Sequence, residues 1–217
     1  VWFKRDLRVC DREPRVRAAA LGPVLPLFVI EPELCAAPEA DRGFFGFQLE
    51  ALRELGQALA ARGAPLLVRR GAAVDVFARL DDELRALGGI AHVHSHQESG
   101  NALTFARDRA VGRLLRTLDV PWTEYHQDGV VRRLADRDGW ARLWQERMQR
   151  PVLQAPARLQ TVPQLAALAS NLPPLAELGL DELGLPPSNI VARQRGGESE
   201  ARALLRSFLA ERAEPYQ

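Results

Sequence analysis

A group of charged side chains near the start of the chain has the chemistry to bind a flat polar ligand. Arg5, Asp6 and Arg8 follow closely on the apolar pair Trp2-Phe3, which is typical of a buried strand. An arginine can direct two parallel donors at one planar acceptor, and a neighbouring aspartate can accept in return. Charges at a strand end also form structural ion pairs, so the spacing alone leaves both interpretations open.

A second polar loop, residues 95–101, follows another apolar run. Gln97 and Glu98 offer donors and acceptors that match the amide-like edge of a heterocycle. Asn101 suits either a ligand contact or the N-cap of the next helix, and both interpretations stay open.

Two further candidates lie between these loops in the sequence. Glu31 follows a second apolar run, and Phe45 belongs to an aromatic group that opens a helical pattern. The carboxylate of Glu31 could flank a ligand and the ring of Phe45 could stack on one. Aromatic residues at helical spacing more often pack against the sheet, which is the alternative for Phe45.

Three histidines, His92, His94 and His96, alternate along one predicted strand and therefore share a side. Three imidazoles can hold zinc, but no carboxylate or cysteine completes a recognised metal-binding spacing. We therefore expect ordinary hydrogen-bond partners for these rings and no metal site.

Short apolar runs bounded by glycine or proline predict the strands that position these loops. The runs are residues 1–3, 24–30, 66–69, 90–94 and 120–125. Helical stripes separate them, which predicts an α/β fold with a doubly wound, five-stranded parallel sheet. Right-handed crossovers predict the strand order 3-2-1-4-5. The loops after Phe3 and His94 then border one crevice, where such sheets bind ligands.

The sequence changes character after the fifth strand. Residues 138–148 predict a helix that Trp140 and Trp144, one turn apart, pack onto the domain. Nearly half of the 15 prolines fall within residues 151–187, which predicts a long irregular connector with short helices at most. After it, residues 198–212 predict an amphipathic helix.

Composition narrows the class of protein. No run approaches the ~20 apolar residues of a membrane span. Cys10 and Cys35 lack a disulfide or redox spacing, so we expect a reduced, cytoplasmic protein. The net charge of only +1 argues against this chain being a main DNA-binding surface. The sequence contains no glycine-rich phosphate loop, so we expect a ligand held by its ring edges.

Residues 2–8, with Asp11 three positions further on, resemble the amino-terminal signature of the photolyase/cryptochrome family. Residues 196–201 resemble that family's entry into its all-helical, FAD-binding domain. The resemblance implies a Rossmann-like, photolyase-type antenna domain at 1–150 and an interdomain connector at 151–197. It also implies that residues 198–217 are the truncated start of the absent helical domain.

The resemblance implies the light-harvesting domain of a blue-light-dependent flavoprotein. In that family an antenna chromophore passes excitation energy to FAD in the helical domain. A folate such as methenyltetrahydrofolate, a deazaflavin and a flavin all remain open as the chromophore. The full-length protein is expected to be a deoxyribodipyrimidine photolyase, a carbon-carbon lyase that repairs pyrimidine dimers, whereas this chain alone is expected to hold no catalytic residue.

The resemblance places the chromophore pocket in the predicted crevice. The chromophore-binding residues that follow are Arg5, Asp6, Arg8, Glu31, Phe45, Gln97, Glu98 and Asn101. The implied partners are UV-damaged DNA, bound through the full-length protein, and the helical FAD domain of the same chain; a monomer is expected, and no membrane partner. Three alternatives stay open: a cryptochrome photoreceptor without repair activity, a nucleotide-binding module of similar topology, and a domain whose pocket is empty.

Overall fold

The computed structural model describes residues 1–170, 181–185 and 190–214. Its strands are β1 (Trp2–Phe3), β2 (Leu27–Ile30), β3 (Leu67–Arg70), β4 (Val93–His96) and β5 (Trp122–Tyr125). Neighbouring strands pair in parallel in the order β3-β2-β1-β4-β5. The doubly wound α/β fold and the strand order predicted from the sequence are confirmed.

Helices connect the strands and continue after the sheet. They are α1 (Glu13–Leu21), α2 (Pro32–Cys35), α3 (Arg42–Ala60), α4 (Ala73–Glu83), α5 (Ala102–Thr117), α6 (Trp140–Met148), α7 (Pro163–Ser170) and α8 (Glu198–Glu211), with 3-10 turns at Arg85–Leu87 and Asp181–Leu183. The sequence pattern does not predict α2, because four residues are too few to show a helical period. Its first residue is Pro32, which suits a helix start because the first amide needs no partner within the helix.

Strand β1 contributes to the core on both faces of the sheet, because successive side chains of a strand point to opposite sides. Phe3 packs with Phe28 and the buried leucines of α3. Trp2 packs with Val29 and with apolar residues of α4 and α5. Both faces are therefore covered, as a parallel sheet requires, and the carboxyl ends of the strands remain available for a site.

Parts of the connector that the prolines predict pack on the α/β domain. The backbone amide of Leu159 donates to the carbonyl of Arg62, and the amide of Val24 donates to the carbonyl of Gln160, each at 2.8 Å. Leu165 of α7 is buried in the core. Residues 171–180 and 186–189 of the connector, and residues 215–217 beyond α8, lie outside the described residues.

Helix α6 forms where the sequence predicts it, and both of its tryptophans lie against Gly129 in the loop after β5. Trp140 and Trp144 nevertheless keep 42% and 43% of their surface exposed, so they pack α6 onto the domain less completely than predicted. The indole of Trp140 donates to the carbonyl of Gly129 at 3.0 Å, which places α6 on the loop after β5. One side of the helix therefore stays open.

Helix α8 lies against the start of the chain and against α3. The Glu198 carboxylate accepts from the backbone amides of Val9 at 2.7 Å and Cys10 at 3.3 Å. Ser199 donates through its amide and its hydroxyl to Glu54, at 2.8 Å and 2.7 Å.

Within the described ranges, no helix has the length and apolar character needed to cross a membrane.

Candidate functional site

A cavity of about 230 Å³ opens at the carboxyl ends of β1 and β2, beside the loop after β4. Its apolar walls include Phe28, Ile30, Leu34, Phe44 and Phe45. The polar groups that converge on it include Arg5, Glu31, Gln48, Glu98, Asn101 and Arg107. Apolar walls with a few converging polar groups are typical of a small-molecule site, and its position matches the predicted crevice.

Arg5 stands at the rim of this cavity. Its guanidinium Nε lies 3.2 Å from the Glu98 carboxylate, and half of its side chain, 51%, is exposed. Glu98 itself is buried and also accepts from the amide of Gly100 at 2.8 Å. The two predicted loops therefore meet across the crevice through this pair.

Arg107 of α5 connects the loop after β2 to the loop after β4. It donates from Nη1 to Glu31 at 2.8 Å and from Nη2 to Glu98 at 2.7 Å. Its Nε also lies 3.0 Å from Asp108. One planar guanidinium thus fixes the carboxylates that follow β2 and β4, which gives the cavity a rigid polar floor.

A buried pair supports the same floor from β1. The Lys4 ammonium donates to Asp108 Oδ2 at 2.8 Å, and both side chains are almost fully buried. The ammonium also lies 4.9 Å from the centre of the Trp2 ring and 5.5 Å from that of Trp122. The end of β1 is therefore tied to α5 by the ion pair with Asp108 and to β5 by the cation-π contact with Trp122.

Burial raises the pKa of Glu31, and the adjacent Arg107 opposes that rise. A carboxyl with a raised pKa exchanges a proton closer to neutral pH, so a change of ligand charge beside it can alter its protonation. The protonation of Glu31 can therefore respond to the charge of a ligand in the cavity.

Asn101 performs the structural role that the sequence left open. Its side-chain oxygen accepts from the amide of Thr104 at 3.0 Å and caps α5. Its amide group also donates to Glu39. Because the residue lines the cavity as well, the cap and the candidate site share one side chain.

The two phenylalanines at the start of α3 form an aromatic corner. Asp41 caps α3 by accepting from the amides of Gly43 and Phe44, which orients the first turn toward the cavity. The rings of Phe44 and Phe45 are 5.4 Å apart and almost perpendicular. Phe45 is buried, whereas Phe44 is 53% exposed, so an aromatic face borders the opening.

Three predicted site residues do not line this cavity. Asp6 is buried, bonded to Arg12 and 2.7 Å from Nδ1 of His96. Burial alone would raise the pKa of Asp6, but Arg12 and His96 together lower it below its usual range. Arg8 donates to the backbone of Asp11 on the surface.

Gln97 is the third of these residues. Its side-chain oxygen lies 2.9 Å from Nδ1 of His126, so its polar end pairs with the loop after β5. The structure therefore brings together Arg5, Glu31, Phe45, Glu98 and Asn101, and leaves Asp6, Arg8 and Gln97 around that group.

The histidines in β4 and immediately before it have ordinary partners. His92 lies 2.8 Å from the hydroxyl of Thr123, and His94 lies 2.9 Å from that of Tyr125. The rings of His92 and His94 are stacked 4.1 Å apart. Across residues 1–170, 181–185 and 190–214, no group of three or more histidine, cysteine, aspartate or glutamate side chains is placed to hold a metal ion.

Sequence reasoning missed Lys4, Arg107 and Asp108. A signal for the last was present, because Asp108 occupies the same helical stripe as Val111 and Leu115, where an apolar residue is expected. A charged residue on a buried helix face needs a partner, and Lys4 is that partner.

The fold and the site define a class: a doubly wound α/β domain that holds a ring-sized cavity at the carboxyl ends of its central strands. The protein family described as DNA photolyase matches residues 1–138. The chain belongs to this family, which confirms the resemblance seen in residues 2–8.

Individual relatives agree with this assignment. Cryptochrome DASH of Gloeobacter violaceus is 30% identical over 231 residues, which cover 96% of this chain and 43% of that protein. The crystal structure of a Synechocystis cryptochrome matches 96% of this chain and 45% of its own, with a TM-score of 0.71 and 20% identity. This chain therefore spans less than half the length of either relative.

A third similar structure is described as an archaeal photolyase from Sulfolobus tokodaii with two FAD molecules, implying a novel light-harvesting cofactor. It matches 94% of this chain and 45% of its own, with a TM-score of 0.66 and 18% identity. At such identities the two solved structures establish a shared fold.

Proposed function

We propose that this chain is the light-harvesting domain of a blue-light-dependent flavoprotein and that its cavity binds the antenna chromophore. The observation that carries the proposal is the cavity at the carboxyl ends of β1 and β2, in a chain of the DNA photolyase family. At about 230 Å³ it is smaller than the roughly 300–1,000 Å³ of pockets for drug-sized ligands. It suits one ring system rather than a whole dinucleotide.

The side chains of the cavity have different roles in the proposed binding. When bound, a conjugated ring supplies the absorption of blue light. Phe45 and Ile30 exclude water from its faces, and Glu31 and Glu98, held by Arg107, accept from donors on its edge. Arg5 at the rim suits an anionic tail that leaves the cavity. A folate, a deazaflavin and a flavin all fit this description, and Asn101 completes the proposed set.

Asp6, Arg8 and Gln97 serve the proposed site indirectly. Asp6 binds Arg12 and His96 beneath the loop after β1. Arg8 stabilises the surface turn of that loop through the backbone of Asp11. Gln97 fixes the loop after β4 through its contact with His126. We assign them to the framework around the chromophore rather than to contact with it.

The chromophore proposal is tested by filling the cavity. Ala37 lines it, whereas the neighbouring Ala36 is exposed and does not. The intact protein is reconstituted with a methenyl folate, a deazaflavin or a flavin, and its absorbance spectrum is recorded. We expect Ala37→Trp to lose the second chromophore's band and Ala36→Trp to keep it. A spectrum with FAD bands alone in the unaltered protein, after all three reconstitutions, contradicts the proposal.

For the whole protein we propose a deoxyribodipyrimidine photolyase. Residues 198–217 then begin its helical FAD domain, residues 151–197 connect the two, and residues 1–150 form the antenna domain. Damaged DNA binds through the complete, monomeric protein. The test is light-dependent repair of an oligonucleotide that contains a pyrimidine dimer.

A second candidate is a cryptochrome photoreceptor, which is favoured by the 30% identity to a protein named cryptochrome DASH. Light-driven flavin reduction without repair of the dimer supports this candidate against the photolyase. Calorimetric titration of the chain with ATP tests the remaining candidate, a nucleotide-binding module, and heat of specific binding there contradicts the antenna proposal.

A further inference from the structure

A second, open groove runs beside α5, on the far side of the loop after β4 from the cavity. Two adjoining depressions of about 710 and 400 Å³ share Phe105, Glu124, Arg132 and Arg133. The smaller one continues along α5 past Arg109, Arg113 and Arg116. Together these residues define the arginine groove.

Three arginines of the groove stand in a row on one helix. Arg109, Arg113 and Arg116 are four and three residues apart, so they lie on the same face of α5, and all three are exposed. With a rise of 1.5 Å per residue, the row extends over about 10 Å. Arg133, on the loop after β5, is also exposed and borders the same groove.

The acidic residues of the smaller depression are already paired with other cations. Asp108 is bonded to Lys4 at 2.8 Å, and Glu124 is bonded to Arg132 at 2.6 Å. Among the residues that the structure describes, no ion pair joins an acidic side chain to the three arginines of the row or to Arg133. Since arginine stays protonated, the groove holds a local excess of positive charge in a chain whose net charge is only +1.

Aromatic rings lie among these charges. Phe105, at the start of α5, is 43% exposed and lines both depressions. Trp122 forms part of the floor of the smaller one, where Gly112 allows its ring to approach the helix. An accessible ring face beside a row of arginines matches a ligand with phosphates along a backbone and flat bases beside it.

We propose that the arginine groove binds single-stranded nucleic acid, with the arginine row on successive phosphates and Phe105 stacked on a base. A single strand fits better than a duplex, because only unpaired bases offer a free face to the ring. This inference is independent of the chromophore proposal, since none of the four unpaired arginines lines the chromophore cavity.

The test compares two triple variants of equal charge in the intact protein. Arg109, Arg113 and Arg116 are replaced by glutamine in the first. The matched control replaces Arg17, Arg85 and Arg142, which are exposed and pair only with neighbours one turn away. Binding of a fluorescein-labelled oligothymidylate is followed by fluorescence anisotropy over a range of salt concentrations, and circular dichroism verifies the fold of each variant.

We expect the unaltered protein and the control to bind alike and the groove variant to bind far more weakly; a groove variant that binds as tightly as the unaltered protein shows that the oligonucleotide binds elsewhere and overturns the proposal. The slope of log K against log salt should shrink by about 2 in the groove variant, because each phosphate contact on a single strand contributes about 0.7. Phe105→Ala should weaken binding roughly tenfold without changing that slope, since base stacking is not ionic, and Phe105→Trp should restore it.

Three competitors separate the sources of negative charge. Inorganic polyphosphate should compete with the oligothymidylate, and Phe105→Ala should leave the affinity for polyphosphate unchanged, because polyphosphate has no base to stack. Polyglutamate and a duplex of equal length should compete weakly. Equal competition by polyglutamate, no saturable binding at low salt, or an equal loss in the control triple variant overturns the proposal.

Discussion

Arg107 and Glu31 are 76 residues apart in the sequence, yet the Arg107 guanidinium donates to the Glu31 carboxylate at 2.8 Å. The same guanidinium holds Glu98 at 2.7 Å. This contact joins α5 to the loop after β2 and makes the floor of the cavity one connected unit. The geometry of the proposed site therefore depends on a residue that lies beneath it.

Replacement of this arginine should cost much stability. Arg107→Met leaves Glu31 and Glu98 in a largely buried position without their shared cation, so we expect the free energy of unfolding to fall by about 3 kcal/mol. Urea denaturation at pH 7 measures the loss. Because burial raises the pKa of Glu31, its protonation at pH 5 should reduce the difference in free energy of unfolding between the variant and the unaltered protein.

An exposed pair gives the control: Arg17→Met, which breaks the contact to Glu13, should change stability by less than about 1 kcal/mol. A difference between Arg107→Met and the unaltered protein that is the same at both pH values contradicts this account.

Asp6 should prove structural rather than a chromophore contact. Asp6→Asn removes the charge that Arg12 and His96 share inside the protein, and we expect a loss of about 3 kcal/mol at pH 7. Arg8→Gln, which alters only a surface turn, should change stability by less than about 0.5 kcal/mol. Thermal unfolding measures both. If Asp6→Asn removes the chromophore band while stability is unchanged, Asp6 contacts the chromophore after all.

The pH dependence of stability should show the buried imidazole of His94. Burial and the stacked His92 lower the pKa of His94 from 6.5 to about 4. The unfolded chain then binds a proton that the folded chain does not, so stability falls as pH drops from about 6.5 toward about 4. Between pH 7 and 5 we expect a loss of about 2 kcal/mol from this residue, measured by urea denaturation.

The variant His94→Phe isolates this titration, because it keeps a ring in the stack and removes the ionisable group. Its stability should change less between pH 7 and 5 than that of the unaltered protein. Equal changes in the two proteins assign the pH dependence to another group. The lowered pKa of Asp6 does not interfere, since that carboxylate loses its stabilising contribution only at pH values below this range.

The docking of α8 should depend on a glycine that lies against α3. A Cβ at Gly196 would collide with the backbone carbonyl of Phe47, and the backbone of a helix cannot move aside cheaply. We expect Gly196→Ala to displace the start of α8, which hydrogen exchange at the amide of Ser199 should report as faster exchange. Gly139→Ala is the matched control, because nothing lies within 4 Å of its Cβ position. Unchanged protection of Ser199 in the first variant contradicts this prediction.

The arginine groove illustrates why bulk composition is a poor guide to local charge. A net charge of +1 predicts a weak nucleic-acid surface, and the periodicity of α5 places three arginines on one face without revealing what faces them. Only the tertiary structure pairs Asp108 with Lys4 and Glu124 with Arg132, which leaves the exposed arginines unopposed within the groove.

The amino-acid sequence by itself determined the sheet, its strand order and the end at which the cavity opens. Apolar runs separated by helical stripes are compatible with few sheet topologies, because crossovers between parallel strands are right-handed. The sequence did not determine which charged side chains enter the cavity. Arg5 and Asp6 are adjacent, yet Arg5 reaches the rim and Asp6 turns inward to Arg12 and His96. That choice depends on partners far along the chain, and only the folded structure brings them within hydrogen-bond distance.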